Sequence, residues 1–464
     1  MLDLHSFLDH HREEHLHIEK PVPLDHVGAL VAEADETIVF DNLEGFPGWR
    51  LVDQLFVNRR AQARVLGCEP HEVVSELAEV LRRGPRSLKE VDGGPCQEEV
   101  VIGDDVDLAT LPIVTHTDLD PYPYTTSFVV HKDPETGQYN QMFPRNGVLS
   151  RNEMVSSFVT STANRILGKY QQAEEKMPQA VVIGCHPAWE LAGCYSHPHD
   201  DWWELELFES ITGSVGEVTR CRTLDLVVPA DASLVIEGLV DPARRAQDGP
   251  SPGPTMLFTP YATQQPVFEV TAITRRKEPI YRHHQMTPFT DHQEMPRLFH
   301  EAIIYERLRA MGIGIRDVHF SQGGGSLCCL IQVEPRFDGQ VTDALLSVMG
   351  STWLNLKMVI AVDPDIDIYD YRDVQYALAV RVDPSEDVIT VRNARGFPFD
   401  PTARPVIGAM PDTEDSRFAG GEVGDRRHQA GALPESRAAG LRAGLAAALG
   451  RGEPGGLSVL RGDG

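Results

Sequence analysis

One stretch of the chain, residues 129–147, combines residue types and a spacing that could do chemistry. It reads VVHKDPETGQYNQMFPRNG, and the turn residues between its two apolar runs predict two strands joined by a hairpin turn at 133–138. The second strand would carry Asn140 and Arg145, which lie five residues apart and so on opposite faces of a regular strand. A bulge, or a kink at Pro144, could bring both to one site. There the planar guanidinium of Arg145 could hold a carboxylate, although an Arg on a strand is more often exposed or salt-bridged.

A second candidate is the segment Ser196-His197-Pro198-His199-Asp200-Asp201, whose imidazoles and carboxylates could bind a metal ion. Pro198 forces an irregular loop, however, and exposed polar loops of this kind are common. The N-terminal histidines would fall on more than one face of a helix, which favours a solvated surface; they are His5, His10, His11, His15 and His17. No GxGxxG, GxxxxGK(S/T), HExxH or GxSxG motif occurs, so the functions that depend on those motifs have no support.

Short β-rich runs between residues 95 and 280 predict a barrel or sandwich of strands, interrupted by one helix over 152–175. Apolar residues at helical spacing predict two further helices, over 72–84 and 294–312. The second of these has acidic residues early and arginines late, as helices prefer, and would bridge two domains.

Beyond residue 312, strand-like and helical runs alternate and include a strand at VITVRN, 388–393. That alternation predicts an α/β sandwich domain. After about residue 413 the composition shifts to Gly, Ala, Arg and Glu, so residues 413–464 are predicted to form a mobile tail.

Composition limits the class of protein. The 464 residues, 41% hydrophobic, suffice for about three domains or one large multi-layer unit. The 69 acidic residues exceed the 42 basic ones by 27, a charge that repels phosphate backbones and anionic lipid, so neither nucleic acid nor a membrane is expected as a partner. No run approaches the roughly 18 apolar residues of a membrane span. The seven cysteines form no CxxC pair, which indicates reduced thiols in a cytoplasmic protein.

Eight segments, one of them within the stretch described first, follow one another along the chain. They are DDVDLATLPIVTH (104–116), DPETGQYNQMFPR (133–145), PQAVVIGCHPAWELAG (178–193), WELELFESITGS (203–214), CRTLDLVVPADASLVIEG (221–238), PVFEVTAITRRKEPIY (266–281), VIAVDPDIDIYDYRDVQYALAVRVDPSEDVITV (359–391) and RGFPFDPTA (395–403). Together they resemble the UbiD-type decarboxylases, which use prenylated flavin mononucleotide (FMN). The resemblance is collinear and covers about residues 35–405.

The resemblance implies an α+β fold: an N-terminal α/β region (1–105), a central flavin-reductase-like split β-barrel that binds prenylated FMN (106–293), a linker helix (294–314) and a C-terminal α/β domain that dimerises (315–412). It also implies that a flavin prenyltransferase supplies the cofactor. The apolar runs KMVIAV and LCCLIQV suit a domain buried against a second copy, so a homodimer or a higher assembly is expected.

The resemblance also implies roles for individual residues. The family has an Asn followed five residues later by an Arg, matched by Asn140 and Arg145; that Asn helps hold a divalent metal at the flavin phosphate, and that Arg lies beside the reacting carboxylate. The metal-binding Glu of the family precedes a helix-closing Gly by nine residues, as Glu204 precedes Gly213. From the residues alone, Glu204 could instead be a helix-start residue favoured by the dipole. The implied cofactors are prenylated FMN and Mn²⁺ or Mg²⁺, with K⁺ as a further candidate.

Two departures from the family pattern bear on the site. The family's third metal ligand is a His downstream of the Arg, whereas here no His occurs between His131 and His186. Asn140 and Glu204 with water could suffice for the metal, His197 or His199 could replace the lost ligand, or the site could have lost flavin.

The second departure concerns the acids. The family carries two in a Glu-Gly-Pro-x-Gly-acid string, whereas this chain keeps Asp248 and has Gly253 in place of the second. Arg145 and Asp248 are therefore the expected catalytic residues, with Asp248 returning a proton to carbon. Shielding from water would raise the pKa of Asp248 and Arg145 would lower it.

Removal of CO₂ from an aromatic or α,β-unsaturated acid leaves an electron pair on an sp² carbon, which requires an electron sink such as the modified flavin. Three hypotheses follow. The first is prenylated-FMN-dependent (de)carboxylation of such an acid. The second is a flavin-binding enzyme with altered chemistry, suggested by Gly253 and the segment PTMLFTPY (254–261). The third is a non-catalytic binding or assembly protein.

Overall fold

The computed structural model describes residues 2–158, 161–195, 202–250, 262–287, 289–325, 327–350 and 356–391. All of them belong to the unit Met1–Arg404. The predicted tail 413–464 lies outside the described residues.

The described residues form helices and strands in mixed order along the chain. The helices are α1 Leu4–His10, α2 Leu24–Glu33, α3 Arg59–Leu66, α4 Val73–Arg83, α5 Ser161–Ala173, α6 Pro187–Gly193, α7 Phe208–Thr212, α8 Asp291–Ala310, α9 Gln340–Met349 and α10 Tyr371–Arg381. The strands are β1 Leu16–Ile18, β2 Ile38–Phe40, β3 Arg50–Asp53, β4 Lys89–Val91, β5 Glu99–Ile102, β6 Tyr124–Thr125, β7 Val129–Lys132, β8 Tyr139–Met142, β9 Asn146–Val148, β10 Glu153–Ser156, β11 Met177–Ile183, β12 Glu217–Arg220, β13 Val227–Pro229, β14 Leu234–Asp248, β15 Thr263–Arg275, β16 Ile280–Arg282, β17 Ile315–Phe320, β18 Cys328–Val333 and β19 Met358–Val362. Among these helices, none is both long enough and apolar enough to cross a membrane.

Nine of the described strands form the central sheet, in the order β6-β9-β10-β15-β14-β11-β7-β8, with β5 added to β15. Six strand spacings separate β9 from β8 along this order, which would be about 29 Å in a flat sheet. Yet only residues 143–145 join β8 to β9, and the four steps from Met142 to Asn146 can span at most about 14 Å. The sheet must therefore curl until its two ends are close, although no hydrogen bonds between described strands close it into a barrel.

Smaller sheets flank the central one. The N-terminal sheet has the order β1-β2-β3-β16, so the chain returns after the central sheet to pair β16 in parallel with β3. The sheet β13-β12-β4 and the C-terminal sheet β17-β18-β19 are each three-stranded. The predicted domain boundaries stay predictions, but the pairing of β16 shows that the N-terminal sheet includes residues from both sides of the central region.

The local predictions are confirmed where one element depends on nearby residues. The helices predicted over 72–84 and 294–312 are α4 and α8, and the predicted hairpin turn joins β7 to β8. Within that turn the carboxylate of Asp133 accepts hydrogen bonds from the backbone N–H groups of Glu135 and Thr136. Asp133 thereby stabilises the turn with its own side chain, as Asp does in many tight turns.

Two predictions were wrong. The helix predicted over 152–175 begins only at Ser161, because Glu153–Ser156 form β10, which is paired on both sides by β9 and β15. Pairing of the buried Met154 and Val155 within the sheet outweighs their local helical spacing. The strand predicted at 388–393 is absent over its described part, 388–391, where the apolar side chains are exposed.

The side chain of Arg282, at the end of β16, is fully buried. Its guanidinium donates to Glu190 of α6 at 3.1 Å, to Asp53 of β3 at 3.2 Å and to Asp291 of α8 at 2.5 Å. A charge removed from water costs several kcal/mol unless it is paired and hydrogen-bonded, and three carboxylates around one guanidinium meet that condition. Arg282 therefore joins the N-terminal sheet to two helices from distant parts of the chain.

Replacing Arg282 by Met should lower the free energy of unfolding by about 3–5 kcal/mol, because three buried carboxylates lose their common cation. Urea titration at pH 7 would measure the loss. The matched control is R316M, which breaks the exposed ion pair of Arg316 with Glu334 and should cost less than about 1 kcal/mol. Equal losses in the two variants would contradict the role given to Arg282.

His300 on α8 gives the fold a specific pH dependence. Burial lowers the pKa of His300 from 6.5 to about 3, so in that interval the unfolded chain binds a proton that the folded chain does not. The stability that this residue contributes is therefore complete above pH 6.5 and is lost as the pH falls toward 3. When the pH is lowered from 7.5 to 5, the wild type loses this contribution and H300L does not. The difference in free energy of unfolding between the two proteins should therefore shift by about 2 kcal/mol in favour of H300L.

The measurement is a urea titration of both proteins at the two pH values. The control is H71L, because the ring of His71 is exposed in the folded chain. An equal pH-dependent gain in H71L would show that burial of His300 is not the cause.

Candidate active site

Arg145 and Asp248, the two residues expected to be catalytic, lie in direct contact. The Nε of Arg145 donates to both carboxylate oxygens of Asp248, at 2.9 and 3.1 Å. The side chain of Asp248 is fully buried, whereas that of Arg145 is 16% exposed. The pair therefore presents the outer face of a guanidinium toward solvent and keeps the carboxylate behind it.

The backbone explains how Arg145 reaches this position. β8 ends at Met142, and the three residues that follow, including Pro144, cross from one end of the curled sheet to β9 near the other end. The carbonyl oxygen of Arg145 accepts a hydrogen bond from the backbone N–H of Ser157. The ring of Phe143 lies 5.8 Å from that of Phe128. The chain therefore leaves β8 before Pro144, and Arg145 lies in the link to β9 and not on a regular strand with Asn140.

Tyr124 of β6 completes the surroundings of Asp248, and sequence reasoning missed it. Its hydroxyl donates to Oδ1 of Asp248 at 3.4 Å and accepts from the backbone N–H of Gly249 at 3.4 Å. Burial, together with the nearby charge of Asp248, raises the pKa of Tyr124 above its ordinary value. The phenol therefore keeps its proton and acts as a hydrogen-bond donor to Asp248.

β6 is in turn held by the segment that follows Arg282. The hydroxyl of Thr126 donates to the backbone carbonyl of His284 at 2.8 Å, and that of Ser127 donates to the carbonyl of Arg282 at 3.3 Å. These bonds fix the chain two and three residues beyond Tyr124. The buried charge cluster around Arg282 and the Arg145–Asp248 pair are therefore parts of one continuous structure.

Asp120 lies four residues before Tyr124, in a turn where its backbone N–H donates to the carbonyl of Thr117. Its Oδ2 accepts a hydrogen bond from the N–H of Thr117 at 2.9 Å, while its Oδ1 is buried with no hydrogen-bond partner. Burial raises the pKa of Asp120 to about 6, against the opposing effects of backbone hydrogen bonds and of the Arg145 charge. The sequence showed no signal for this residue, because polar loops carry no periodicity.

Asn140 lies directly opposite His131 in the β7–β8 hairpin, and directly opposed residues share a face of the sheet. The Oδ1 of Asn140 and both ring nitrogens of His131 are buried without a hydrogen bond of good geometry, although the two side chains are close enough for Asn140 to favour the protonated ring. Burial lowers the pKa of His131 to about 4, so the ring is neutral. Sequence reasoning looked for a His only downstream of Arg145, whereas counting back across the predicted hairpin turn would have found His131.

Glu204 begins a short 3₁₀ turn, Glu204–Leu207, that leads into α7. The indole of the preceding residue, Trp203, stacks on the ring of Tyr139 with 4.7 Å between centroids, and Tyr139 is the neighbour of Asn140. The two expected metal-binding residues are therefore carried by adjoining segments. The predicted helix-closing role of Gly213 is confirmed, since it ends α7 in the left-handed region at φ 69°.

The residues present fit a hard metal ion in part. A buried carboxamide oxygen without a partner, on Asn140, and the carboxylate of Glu204 are oxygen donors of the kind that Mg²⁺ and Mn²⁺ bind. Within the described ranges, no group of three or more His, Cys, Asp or Glu is placed to hold a metal ion. His197, His199 and Gly253 lie outside the described residues.

A cavity of about 760 Å³ opens elsewhere, between α1 and α3. Its lining includes Phe7, His10, Arg64 and Cys68 but none of the expected site residues. We therefore place the candidate active site at Arg145 and Asp248, where a cation, a carboxylate and a phenol are in contact near the ends of the curled sheet.

The chain matches two domain families of known proteins. The family described as "3-octaprenyl-4-hydroxybenzoate carboxy-lyase Rift-related domain" matches residues 89–288, and the corresponding C-terminal domain family matches residues 294–417. An anhydromevalonate phosphate decarboxylase of Methanosarcina mazei is 30% identical over 392 residues, which cover 83% of this chain and 88% of that protein. Another, of Methanothermobacter thermautotrophicus, is 27% identical and covers 87% and 93%.

Solved structures show the same fold. The UbiD-class enzyme HmfF from Pelotomaculum thermopropionicum, in complex with prenylated FMN, superposes with a TM-score of 0.79 at 26% identity over 85% of this chain and 93% of that chain. Apo 3,4-dihydroxybenzoic acid decarboxylase (AroY) of Klebsiella pneumoniae reaches 0.79 at 23% identity over 87% and 90%. The predicted mixed helix-and-sheet class is thereby confirmed. The chain belongs to the UbiD family of carboxy-lyases.

Proposed function

We propose that this chain is a prenylated-FMN-dependent decarboxylase that removes CO₂ from an aromatic or α,β-unsaturated carboxylic acid. The observation that carries the proposal is the contact between Arg145 and Asp248 beside the open ends of the central sheet. The two residues in contact are those that match the catalytic Arg and the first acid in the sequence pattern of the UbiD family. The name of the curated relatives makes anhydromevalonate phosphate the first acid to assay.

Arg145 would bind the substrate carboxylate. Its hydrogen bonds to described residues come from Nε alone, so no described residue occupies the two Nη groups, which suit a bidentate contact with a second carboxylate. Asp248 fixes the plane of the guanidinium, since Nε reaches both of its oxygens. When bound, prenylated FMN supplies the electron sink that the departing CO₂ requires.

Asn140 and Glu204 would hold the divalent ion at the flavin phosphate, with water as the remaining ligands. Mn²⁺ and Mg²⁺ both accept such oxygen donors. The buried Oδ1 of Asn140 supports this assignment, because it lies beside the His131 ring without a hydrogen bond of good geometry, and such a buried acceptor costs free energy unless a ligand satisfies it. K⁺ stays a sequence-based prediction.

We also propose a homodimer that receives its flavin from a prenyltransferase. The C-terminal region supports self-association: Tyr376 and Val380 lie one turn apart on α10 and are 59% and 60% exposed, and Met358 on β19 is 51% exposed. Exposed apolar side chains of this size often mark protein–protein contacts.

Replacing Arg145 by Met should lower kcat/KM for decarboxylation by about 10²–10³-fold, because the substrate carboxylate loses its cation. The assay uses protein co-expressed with a flavin prenyltransferase and follows CO₂ release from a panel of acids that starts with anhydromevalonate phosphate. The control is R151M, since Arg151 lies on the surface and pairs only loosely with Asp107.

Flavin absorbance and CO₂ release, both measured on the wild-type protein, discriminate among the three functional hypotheses. Flavin absorbance with CO₂ release supports the proposal. Flavin absorbance without CO₂ release from any acid would instead favour an enzyme of altered chemistry. Absence of both flavin and turnover would favour a non-catalytic protein.

Replacing Asn140 by Ala should weaken binding of Mn²⁺ by about 10–100-fold and reduce the flavin that co-purifies. Metal analysis and the visible spectrum of the purified protein measure both quantities. N152A is the control, because the side chain of Asn152 is exposed. Unchanged metal and flavin content in N140A would remove Asn140 from the cofactor site.

A further inference from the structure

We propose that Asp120 is the second carboxyl group of the active site and supplies the proton that replaces the departing CO₂. The inference rests on the proposed function. It gives the proton-donating step, which the sequence-based interpretation assigned to Asp248, to a residue in a different segment of the chain.

The contacts of Asp248 do not suit a proton donor. Both of its oxygens accept from the Nε of Arg145, and Oδ1 also accepts from the hydroxyl of Tyr124. An acid that donates must carry a proton on one oxygen, whereas a guanidinium can only donate. In this geometry Asp248 serves as the anionic partner of Arg145.

The chain after Asp248 offers no replacement. Residues 249–268 contain no Asp or Glu, so the next acid along the chain is Glu269 on β15. Its carboxylate is already engaged by Lys176 and Arg244, each at 2.5 Å. A carboxyl group that donates the proton would therefore come from another part of the fold.

Asp120 lies close to the Arg145–Asp248 pair. It is four residues from Tyr124, the residue that contacts Asp248, and the charge of Arg145 acts on its carboxyl group. The N–H of Thr117 donates to one carboxyl oxygen, Oδ2, while the other, Oδ1, is buried and has no hydrogen-bond partner. Oδ1 is therefore the oxygen that can carry a proton and pass it on.

Its surroundings favour the protonated form when substrate is bound. Burial raises the pKa of Asp120 to about 6, while the backbone N–H groups of Thr117 and His116 and the charge of Arg145 act in the opposite direction. The titratable groups around it include Tyr124, on which the charges of Asp120 and Asp248 both act, His116, whose ring lies 6.4 Å from that of Tyr124, and the exposed Asp118. A bound substrate carboxylate would neutralise Arg145 and so weaken the effect that lowers the pKa.

The step balances without a further reagent. The bond between the carboxylate carbon and the rest of the substrate breaks, CO₂ leaves, and its bonding electrons stay with the substrate. A new C–H bond then forms with the proton from Asp120, which becomes a carboxylate. Water restores that proton after the product leaves, since the turn that carries Asp120 reaches the surface at the neighbouring Asp118 and Leu119.

The first test measures the proton itself and needs no activity. Infrared difference spectra of the protein, labelled with ¹³C-aspartate, are recorded between pH 4 and 8. The wild-type minus D120N difference should contain one carboxyl band that titrates near pH 6. D118N is the matched control, because Asp118 is exposed in the same loop and its replacement should leave that band in place. If the difference contains no carboxyl titrating in this range, Asp120 does not carry the proton.

The second test measures turnover of the flavin-loaded enzyme. D120N should lower kcat for CO₂ release by about 10²–10⁴-fold with unchanged flavin content, whereas D118N should keep the wild-type rate. D120E, which retains a carboxyl group, should recover part of the rate and covers the case in which D120N does not fold. Wild-type rates in D120N would overturn the inference. If the wild-type enzyme releases no CO₂, the proposed function fails first, and the infrared titration distinguishes that outcome from a misassigned acid.

Discussion

The buried positive charge of Arg282 is the constraint on which the arrangement of the site depends. It can stay out of water only while Asp53, Glu190 and Asp291 surround it, so a strand and two helices from distant parts of the chain must meet at that point. The residues just after Arg282 offer their carbonyl groups to the hydroxyls that follow β6. Through β6 the cluster positions Tyr124, and through Tyr124 it reaches the carboxylate behind the candidate catalytic arginine.

Arg282 and Arg145 differ in a way that separates structure from chemistry. Arg282 has three carboxyl groups around it and no exposed side-chain surface, so nothing remains for a ligand. Among the described residues Arg145 pairs with one carboxylate, through Nε, and its side chain is 16% exposed. The number of donor groups already used by the protein distinguishes the two, because a guanidinium holds a substrate only with the donors that remain.

Sequence reasoning succeeded where neighbours along the chain decide the structure. The hairpin before Asn140 and the helix that ends at Gly84 follow from turn residues and apolar spacing. It failed where distant segments decide. The contact of Arg282 with Asp53 spans 229 positions. The first part of the helix expected over 152–175 is instead the strand β10, because two strands pair with it. The pairing of Arg145 with Asp248 was expected only because a family pattern joined two remote positions.

A decarboxylase of this kind needs one acid that stays charged beside the arginine and another that carries a proton, and two carboxyl groups have the same intrinsic chemistry. The fold separates their roles through their surroundings. Asp248 lies under a guanidinium and a phenol that both donate to it. Asp120 accepts the N–H of Thr117 on Oδ2, while its Oδ1 is buried without a hydrogen-bond partner. Because the distinction depends on contacts and not on residue type, the proposed transfer of the proton-donating role to Asp120 requires no new kind of side chain where this chain has Gly253.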